Sequence, residues 1–191
     1  MARPSVRNKI VEAALKVFVE KGFNACSVQD ITDAAGVPKG SFYNHFASKE
    51  ALGAEIVVLY GKGNTRREIL ADRSIPALDR LQRHFTALNR IFSGEGCEYG
   101  CLIGNFSAEL SDQSPLIREE LLKVFKRWTA EIEFAIRDGQ VEGSISKKLK
   151  AGEIASFLIN AYEGTILRAR VDKSPRAFKA FMKVTFSSIL A

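Results

Sequence analysis

The sequence predicts an all-α protein, with a small N-terminal three-helix domain that contains a helix-turn-helix and a larger bundle of helices after it. Three observations lead there. Apolar residues recur at spacings of three and four along almost the whole chain, which is the period of one buried helical stripe. Serines, Ser-Pro pairs and glycines fall where such helices would start and stop. No stretch alternates apolar and polar residues for long enough to make a strand; the best candidate, Val141 to Ile145, is short and broken by Gly143.

Each helix has its own signals. From Ser5 to Lys21, Ile10, Val11, Ala14, Leu15 and Phe18 form one stripe, Ser5 caps the start and Gly22 ends it. A short helix follows Ser27, with Asp30 at the positive end of its dipole, and stops near Ala35 because Gly36 comes next. A third runs from Pro38, at home in a first turn, to about His45. Residues from Ser48 to about Leu70 and from Ile75 to about Phe92 read as longer amphipathic helices separated by a turn over 72–76. The glycine-rich stretch 94–100 is too flexible to continue a helix. Leu102 to Leu110 is helical again. Ser114-Pro115 opens a helix carrying Ile117, Leu121, Val124, Phe125, Trp128, Ile132 and Ile136 on one face and ending at Gly139. After a loop to Lys150, two last helices cover about Ala151–Arg170 and, from a second Ser-Pro start, about Pro175–Leu190.

The composition narrows the function classes. The 191 residues are 46% hydrophobic and 26% charged, an ordinary globular balance that excludes disordered, collagen-like and rod-like chains. No run approaches the roughly 18 apolar residues of a membrane span, and the N-terminus has no apolar stretch of signal-peptide length, so a cytoplasmic protein is expected. Three cysteines, an odd number, suit a reducing compartment. The net charge of +6 permits a nucleic-acid partner without requiring one.

The segment from Ser27 to Phe46 carries the most information. Two short helices joined at Gly36 form a helix-turn-helix, in which Ala34 and Ala35 let the helices cross closely. Val28, Ile31, Val37, Phe42 and Phe46 supply its core. The outward face of the second helix is then Pro38, Lys39, Ser41, Tyr43, Asn44 and His45, several of them donors that read base edges or grip phosphates. Gly40 costs about 1 kcal/mol relative to alanine in a helix; it is either tolerated in a first turn or kept for close approach to a duplex. His45 has two readings, a DNA contact or a histidine packed within the domain.

These residues resemble the TetR family of bacterial transcriptional regulators. The resemblance rests on Ala13-Ala14-Leu15 and Phe18, on Glu20-Lys21-Gly22-Phe23 followed by Ser27-Val28 and Ile31, and on Ala34-Ala35-Gly36-Val37. Above all it rests on Gly40-Ser41-Phe42-Tyr43-Asn44-His45-Phe46, which leads into Ser48-Lys49-Glu50-Ala51-Leu52. It covers about the first 55 residues. It implies a homodimeric repressor of double-stranded DNA operators, with a DNA-binding domain over residues 1–47 and an effector-binding and dimerisation domain over 48–191. A small molecule binding the second domain would release DNA from the first. By position, the resemblance implies that Ser27 contacts phosphate, that Lys39, Gly40 and Ser41 approach bases, and that Tyr43 and His45 hold phosphates. Lys49, at the start of the fourth helix, would add another phosphate contact. Asn44 stands where family members often have an aromatic. Arg3, Arg7 and Lys9 are either a minor-groove arm or a solvated terminus. With seven Lys/Arg and five Asp/Glu in residues 1–50, the head is not unusually basic, so few phosphates contribute to a salt-dependent affinity.

Beyond the head only residue chemistry guides the reading. Apolar and aromatic side chains abound, and a pocket between bundle helices needs such residues with a few polar groups. The expected lining is His84, Phe85, Leu88, Phe92, Cys101, Asn105, Phe106, Glu109, Phe125, Trp128 and Tyr162, with Asn160 as a further polar candidate, for an effector that is largely apolar or aromatic with one polar end. The last two helices are apolar around much of their circumference, which suggests a partner subunit on one side; Phe157, Ala161, Gly164, Phe178, Phe181 and Met182 are the expected interface. Metal ligation is not expected, because Cys97 and Cys101 lack further thiols or imidazoles nearby in sequence. No cofactor is expected either, since the glycine-rich stretch lacks the Gly-Lys-Ser/Thr ending of a phosphate loop. Two alternatives remain. One is a regulator that senses oxidants or electrophiles through Cys101, placed at a helix start, or through Cys97, beside Glu95 and Glu98. The other is an enzyme with a DNA-binding head and Cys101 as nucleophile, for which no acid–base partner is in evidence.

Overall fold

The computed structural model describes residues 5–62 and 68–191, and these are helical with no strand among them. The helices are α1 (Val6–Lys21), α2 (Val28–Ala35), α3 (Lys39–Tyr43), α4 (Lys49–Lys62), α5 (Glu68–Ala71), α6 (Ala77–Phe92), α7 (Leu102–Leu110), α8 (Pro115–Glu142), α9 (Ala151–Asp172) and α10 (Arg176–Val184). A 3-10 turn covers Gly94–Cys97, and a π turn over Thr185–Ile189 extends α10. Residues 63–67, within the segment expected to continue α4, lie outside the described residues, as do Arg3 and the side chain of Glu95.

Most boundaries match the sequence signals because the capping chemistry is local. Ser5 accepts the Asn8 N–H at 3.2 Å and Ser27 accepts that of Asp30 at 3.1 Å, while Gly36 closes α2 in the left-handed conformation. Two ends differ. Helix α3 stops at Tyr43 rather than His45: the N–H groups of His45 and Phe46 both reach the Phe42 carbonyl at 3.0 Å, which tightens the last turn and drives Phe46 into the core. Helix α8 continues past Gly139 to Glu142, and Gly143, at φ +83°, follows it. Gly139 serves packing instead. A Cβ there would lie 2.5 Å from Ile145 Cδ1 and 3.2 Å from Ala77 Cβ, so the missing methyl lets the loop after α8 and the start of α6 close on the helix. That loop is braced further by Gln140, whose side-chain amide donates to the Ser146 and Leu149 carbonyls at 2.9 Å each.

The chain forms two compact units. The first comprises residues 1–63 and 101–124. Its core joins Ile10, Ala14 and Phe18 of α1, Ile31 of α2, Phe42 of α3, Leu52, Ile56 and Val57 of α4, and Phe106 of α7, all at or near zero exposure. Phe18, Phe23 and Phe106 form an aromatic triangle with centroids 5.3–5.6 Å apart. Ser114, which opens α8, donates to Glu50 of α4 and accepts the Ile117 N–H.

The second unit comprises residues 64–100 and 125–191. Leu81 and Phe85 of α6, Ala135 and Ile136 of α8, Leu158 and Ile166 of α9 and Phe178 of α10 form its core. Inside it sits a fully buried cation, Arg80, which donates to the Leu70 carbonyl and to Asp138, each at 2.9 Å. Asp138 also receives two bonds from Arg73, at 3.1 and 3.0 Å. The Arg73 hydrogen bond, then that of Arg80, holds the Asp138 carboxyl below its ordinary range against the opposing effect of burial. A carboxyl depressed in the folded state stabilises it above the unfolded pKa of about 4 and ceases to do so as pH falls through the lower folded value. Urea unfolding should therefore show stability dropping as pH falls below about 4, and Asp138→Asn should flatten that part of the profile. An identical profile in the variant would remove Asp138 from this role.

Candidate nucleic-acid interface

The helix-turn-helix presents one continuous polar surface. Pro38, Lys39, Gly40, Tyr43, Asn44 and His45 are exposed and Ser41 is half-buried, whereas Phe42 and Phe46 between them are buried. Phe42 lies on the inner face of α3, and the tightened turn that follows Tyr43 brings Phe46 into the core as well. Tyr43 is 58% exposed although its ring edge touches Phe42 at 5.2 Å. At Gly40 an added Cβ would meet no protein atom within 4 Å, so nothing within the head demands a glycine there. His45 is exposed and makes an edge contact with Phe46 at 6.5 Å, so it is not a histidine packed within the domain.

Three of the expected contacts are already engaged within the head. Ser27 uses its hydroxyl as the cap of α2 and donates to Asp30, which also takes the Ser27 N–H and the Lys21 ammonium. The Lys21 bond, with those of Ser27, holds the Asp30 carboxyl well below the usual carboxylate range. Lys49 donates to the carbonyls of Phe23 at 2.9 Å and Cys26 at 2.6 Å and lies over the Phe23 ring. Arg7 pairs with Glu55 of α4 at 2.6 Å and covers the Phe46 ring at 5.0 Å, so it ties α1 to α4 and to the end of α3. Spacing along the chain could not reveal the attachments of Lys49 and Arg7, since each joins residues more than twenty positions apart.

The expected effector-pocket residues divide between the two units. In the second, Phe85, Phe92 and Tyr162 come together with His84 at their edge: Phe85 and Phe92 lie 5.3 and 6.4 Å from the Tyr162 ring, and His84 5.2 Å from Phe85. The polar member that sequence reasoning missed is Asn89, which accepts the Tyr162 hydroxyl at 2.9 Å; its place one turn after Phe85 on the same face of α6 was the available signal. Leu88 is half-buried on α6, and Phe125 and Trp128 form an edge pair at 6.0 Å on α8. Asn160 is exposed. In the first unit, Cys101 stands at the N-cap position of α7 without a side-chain capping bond, Asn105 is half-buried, and Phe106 and Glu109 face the α1–α2 turn.

The expected dimer residues also separate. Phe157 is 52% exposed and lines, with Ala161, Gly164 and Val184, an apolar surface groove of about 530 Å³ between α9 and α10. Leu167 and Val171 of α9 add exposed apolar surface at 55% and 80%. Phe178 turns inward against Tyr162 at 6.0 Å, Phe181 packs on Phe85 and Tyr162 at 5.0 Å while edging the groove, and Met182 is half-buried.

Comparison with known proteins agrees with this arrangement. The family described as "Bacterial regulatory proteins, tetR family" matches residues 10–56, and that described as "Tetracyclin repressor-like, C-terminal domain" matches residues 77–185. The HTH-type transcriptional repressor DhaR of Mycobacterium sp. (strain GP1) is 42% identical over 192 residues, covering 100% of this chain and 95% of DhaR.

The chain belongs to the TetR family.

Among solved structures, a regulatory protein TetR from Rhodobacter sphaeroides superposes with a TM-score of 0.89 at 28% identity, covering 97% of this chain and 99% of that one. The reduced form of NemR from E. coli superposes with a TM-score of 0.88 at 26% identity, covering 97% of both chains. This TetR-family chain is accordingly a DNA-binding, ligand-responsive transcriptional regulator of the repressor type. Thiol sensing gains no support from its geometry, because Cys97 and Cys101 are 2% and 3% exposed and so shielded from a dissolved oxidant.

The internal engagement of Lys49 leads to a test. Lys39→Ala should weaken operator binding and relax the preference at one base position, as expected for a lost base contact, and, by removing a cation beside the duplex, lower the slope of log affinity against log salt. Lys49→Ala should leave the slope unchanged and lower the melting temperature instead. A reduced slope for Lys49→Ala would place that lysine on the DNA.

Proposed function

We propose that the chain works as a twofold homodimer in the cytoplasm, reads a pseudo-palindromic operator with α3 of each subunit, and releases it when a largely apolar or aromatic small molecule binds among the helices of the C-terminal domain. In this reading residues 1–47 carry recognition and residues 48–191 carry dimerisation and effector binding. Lys39, Gly40 and Ser41 approach base edges, Pro38 and Asn44 flank them, and Tyr43 and His45 hold phosphates. The observation that carries the reading is the contrast between the polar, exposed outer face of α3 and the apolar, exposed groove between α9 and α10. Exposed aromatic and aliphatic side chains on two adjacent helices are what a second subunit buries. The repressor name of the 42% identical relative supports the direction of regulation.

The effector's chemistry follows from the aromatic cluster of Phe85, Phe92 and Tyr162 and the hydrogen bond between Tyr162 and Asn89. A ligand with a flat apolar body and one polar end can stack on such rings and exchange for that bond. It acts only through a difference in affinity between the DNA-bound and DNA-free arrangements.

The test selects duplexes from random-sequence DNA with the purified protein and footprints the winners. Two inverted half-sites, with centres about 34–36 Å or a multiple apart, are expected. A single protected half-site, or equal affinity for random DNA, would refute the reading. For the dimer, Phe157→Glu should convert the protein to monomers in sedimentation velocity with its helical circular dichroism retained. A variant that still sediments as a dimer would move the interface elsewhere.

A further inference from the structure

We infer that Glu109 is a positioning residue for DNA reading: its carboxylate, seated in a notch at the α1–α2 turn, makes α7 a second tether of the helix-turn-helix beside α4. The inference rests on the reading of the chain as a two-headed operator binder.

Glu109 Oε2 accepts the Asn24 N–H at 2.8 Å across 85 residues of sequence. The notch exists because residue 22 is glycine. Its φ of +79° ends α1 in a conformation that side chains avoid, and a Cβ there would come within 2.6 Å of Glu109 Oε1. Helix electrostatics do not explain a carboxylate here, since the C-terminal end of α1 carries the negative end of its dipole. The hydrogen bond and the open space hold it. About one turn earlier on α7, Phe106 is fully buried and edge-on to Phe18 and Phe23 at 5.3 and 5.6 Å, so the carboxylate arrives on a fixed element.

The same turn is also gripped by Lys49 of α4, through the Phe23 and Cys26 carbonyls. Immediately after it come Ser27 and α2, on which α3 is packed. Two legs therefore hold the turn from which the reading head hangs. With the Glu109 bond cut, the head keeps its own core, the Lys49 clamp and the packing of Phe106, but the backbone of the turn at Asn24 is no longer tied to α7. A single half-site senses only the surface of α3, whereas paired half-sites require both heads at a fixed orientation.

Duplexes carrying two inverted half-sites or one, selected with the wild-type protein, provide the probes. Glu109→Ala should weaken binding to the paired duplex by about tenfold and to the single half-site by less than about twofold. Glu109→Gln keeps an oxygen acceptor for Asn24 and should stay within about threefold of wild type on both. Hydrogen exchange at the Asn24 amide should accelerate in the alanine variant and not in the glutamine variant. Wild-type affinity of Glu109→Ala for the paired duplex, or an equal fall on both duplexes, would overturn the inference. A wild-type protein that does not distinguish paired from single half-sites would overturn the operator reading itself.

Discussion

Replacing Lys39, Tyr43 and His45 together by alanine is expected to weaken operator binding by a hundredfold or more while leaving the fold intact. All three side chains are exposed on the outer face of α3 and its closing turn, and Phe42 and Phe46, which hold that element, are untouched. Losses of about 1–3 kcal/mol for a base contact, and a smaller uniform loss for a phosphate contact, accumulate over three residues in each of two heads. Surface substitutions of this kind change stability by only about 0.5 kcal/mol each. Fluorescence anisotropy with a selected duplex measures the first quantity and thermal melting the second. Retention of near-wild-type affinity by a folded triple variant would mean that α3 does not read DNA.

The second large effect concerns the interior of the other unit. Asp138→Ala should destabilise the protein by about 3 kcal/mol, the magnitude typical of breaking a buried ion pair from one side. Arg80 is completely buried, and without Asp138 its guanidinium keeps the Leu70 carbonyl and Glu142 at 3.8 Å. Most of the loss comes from stranding that cation rather than from forfeiting an attraction. Urea unfolding followed by the fluorescence of Trp128, which lies in the same unit, reads the change directly. A loss below about 1 kcal/mol would show that water or Glu142 compensates Arg80.

Local chemistry explains why the fold and the exposed polar face of α3 were legible in the sequence. Ser5, Ser27, Gly36 and Ser114 act on backbone groups within a turn of themselves, so their effects depend on neighbours the sequence displays. The outer face of α3 follows from the 3.6-residue period. Legibility failed wherever a residue acts across the fold. Gly139 looks like a stop signal, yet it is a contact point for Ile145 and Ala77. Arg7 and Lys49 look like cations free for phosphate, yet Glu55 and the carbonyls of the α1–α2 turn take them. Glu109 and Phe106 have the composition of a pocket wall and face the head instead. Phe178 belongs to an apolar helix surface by pattern, and only the fold shows which side of α10 is already covered by Tyr162.

The burial of every cysteine has a practical consequence. Cys26, Cys97 and Cys101 are 2–3% exposed, and burial pushes the Cys26 thiol up, so all three should react sluggishly with maleimide or methanethiosulfonate reagents. The native chain can then serve as its own labelling background. A thiol introduced at the exposed Asn44 position would be modified selectively with a spin label or fluorophore, once per subunit. Pulsed dipolar spectroscopy or energy transfer between the two labels would turn the spacing of the recognition helices into a ruler reading, taken with and without candidate effectors.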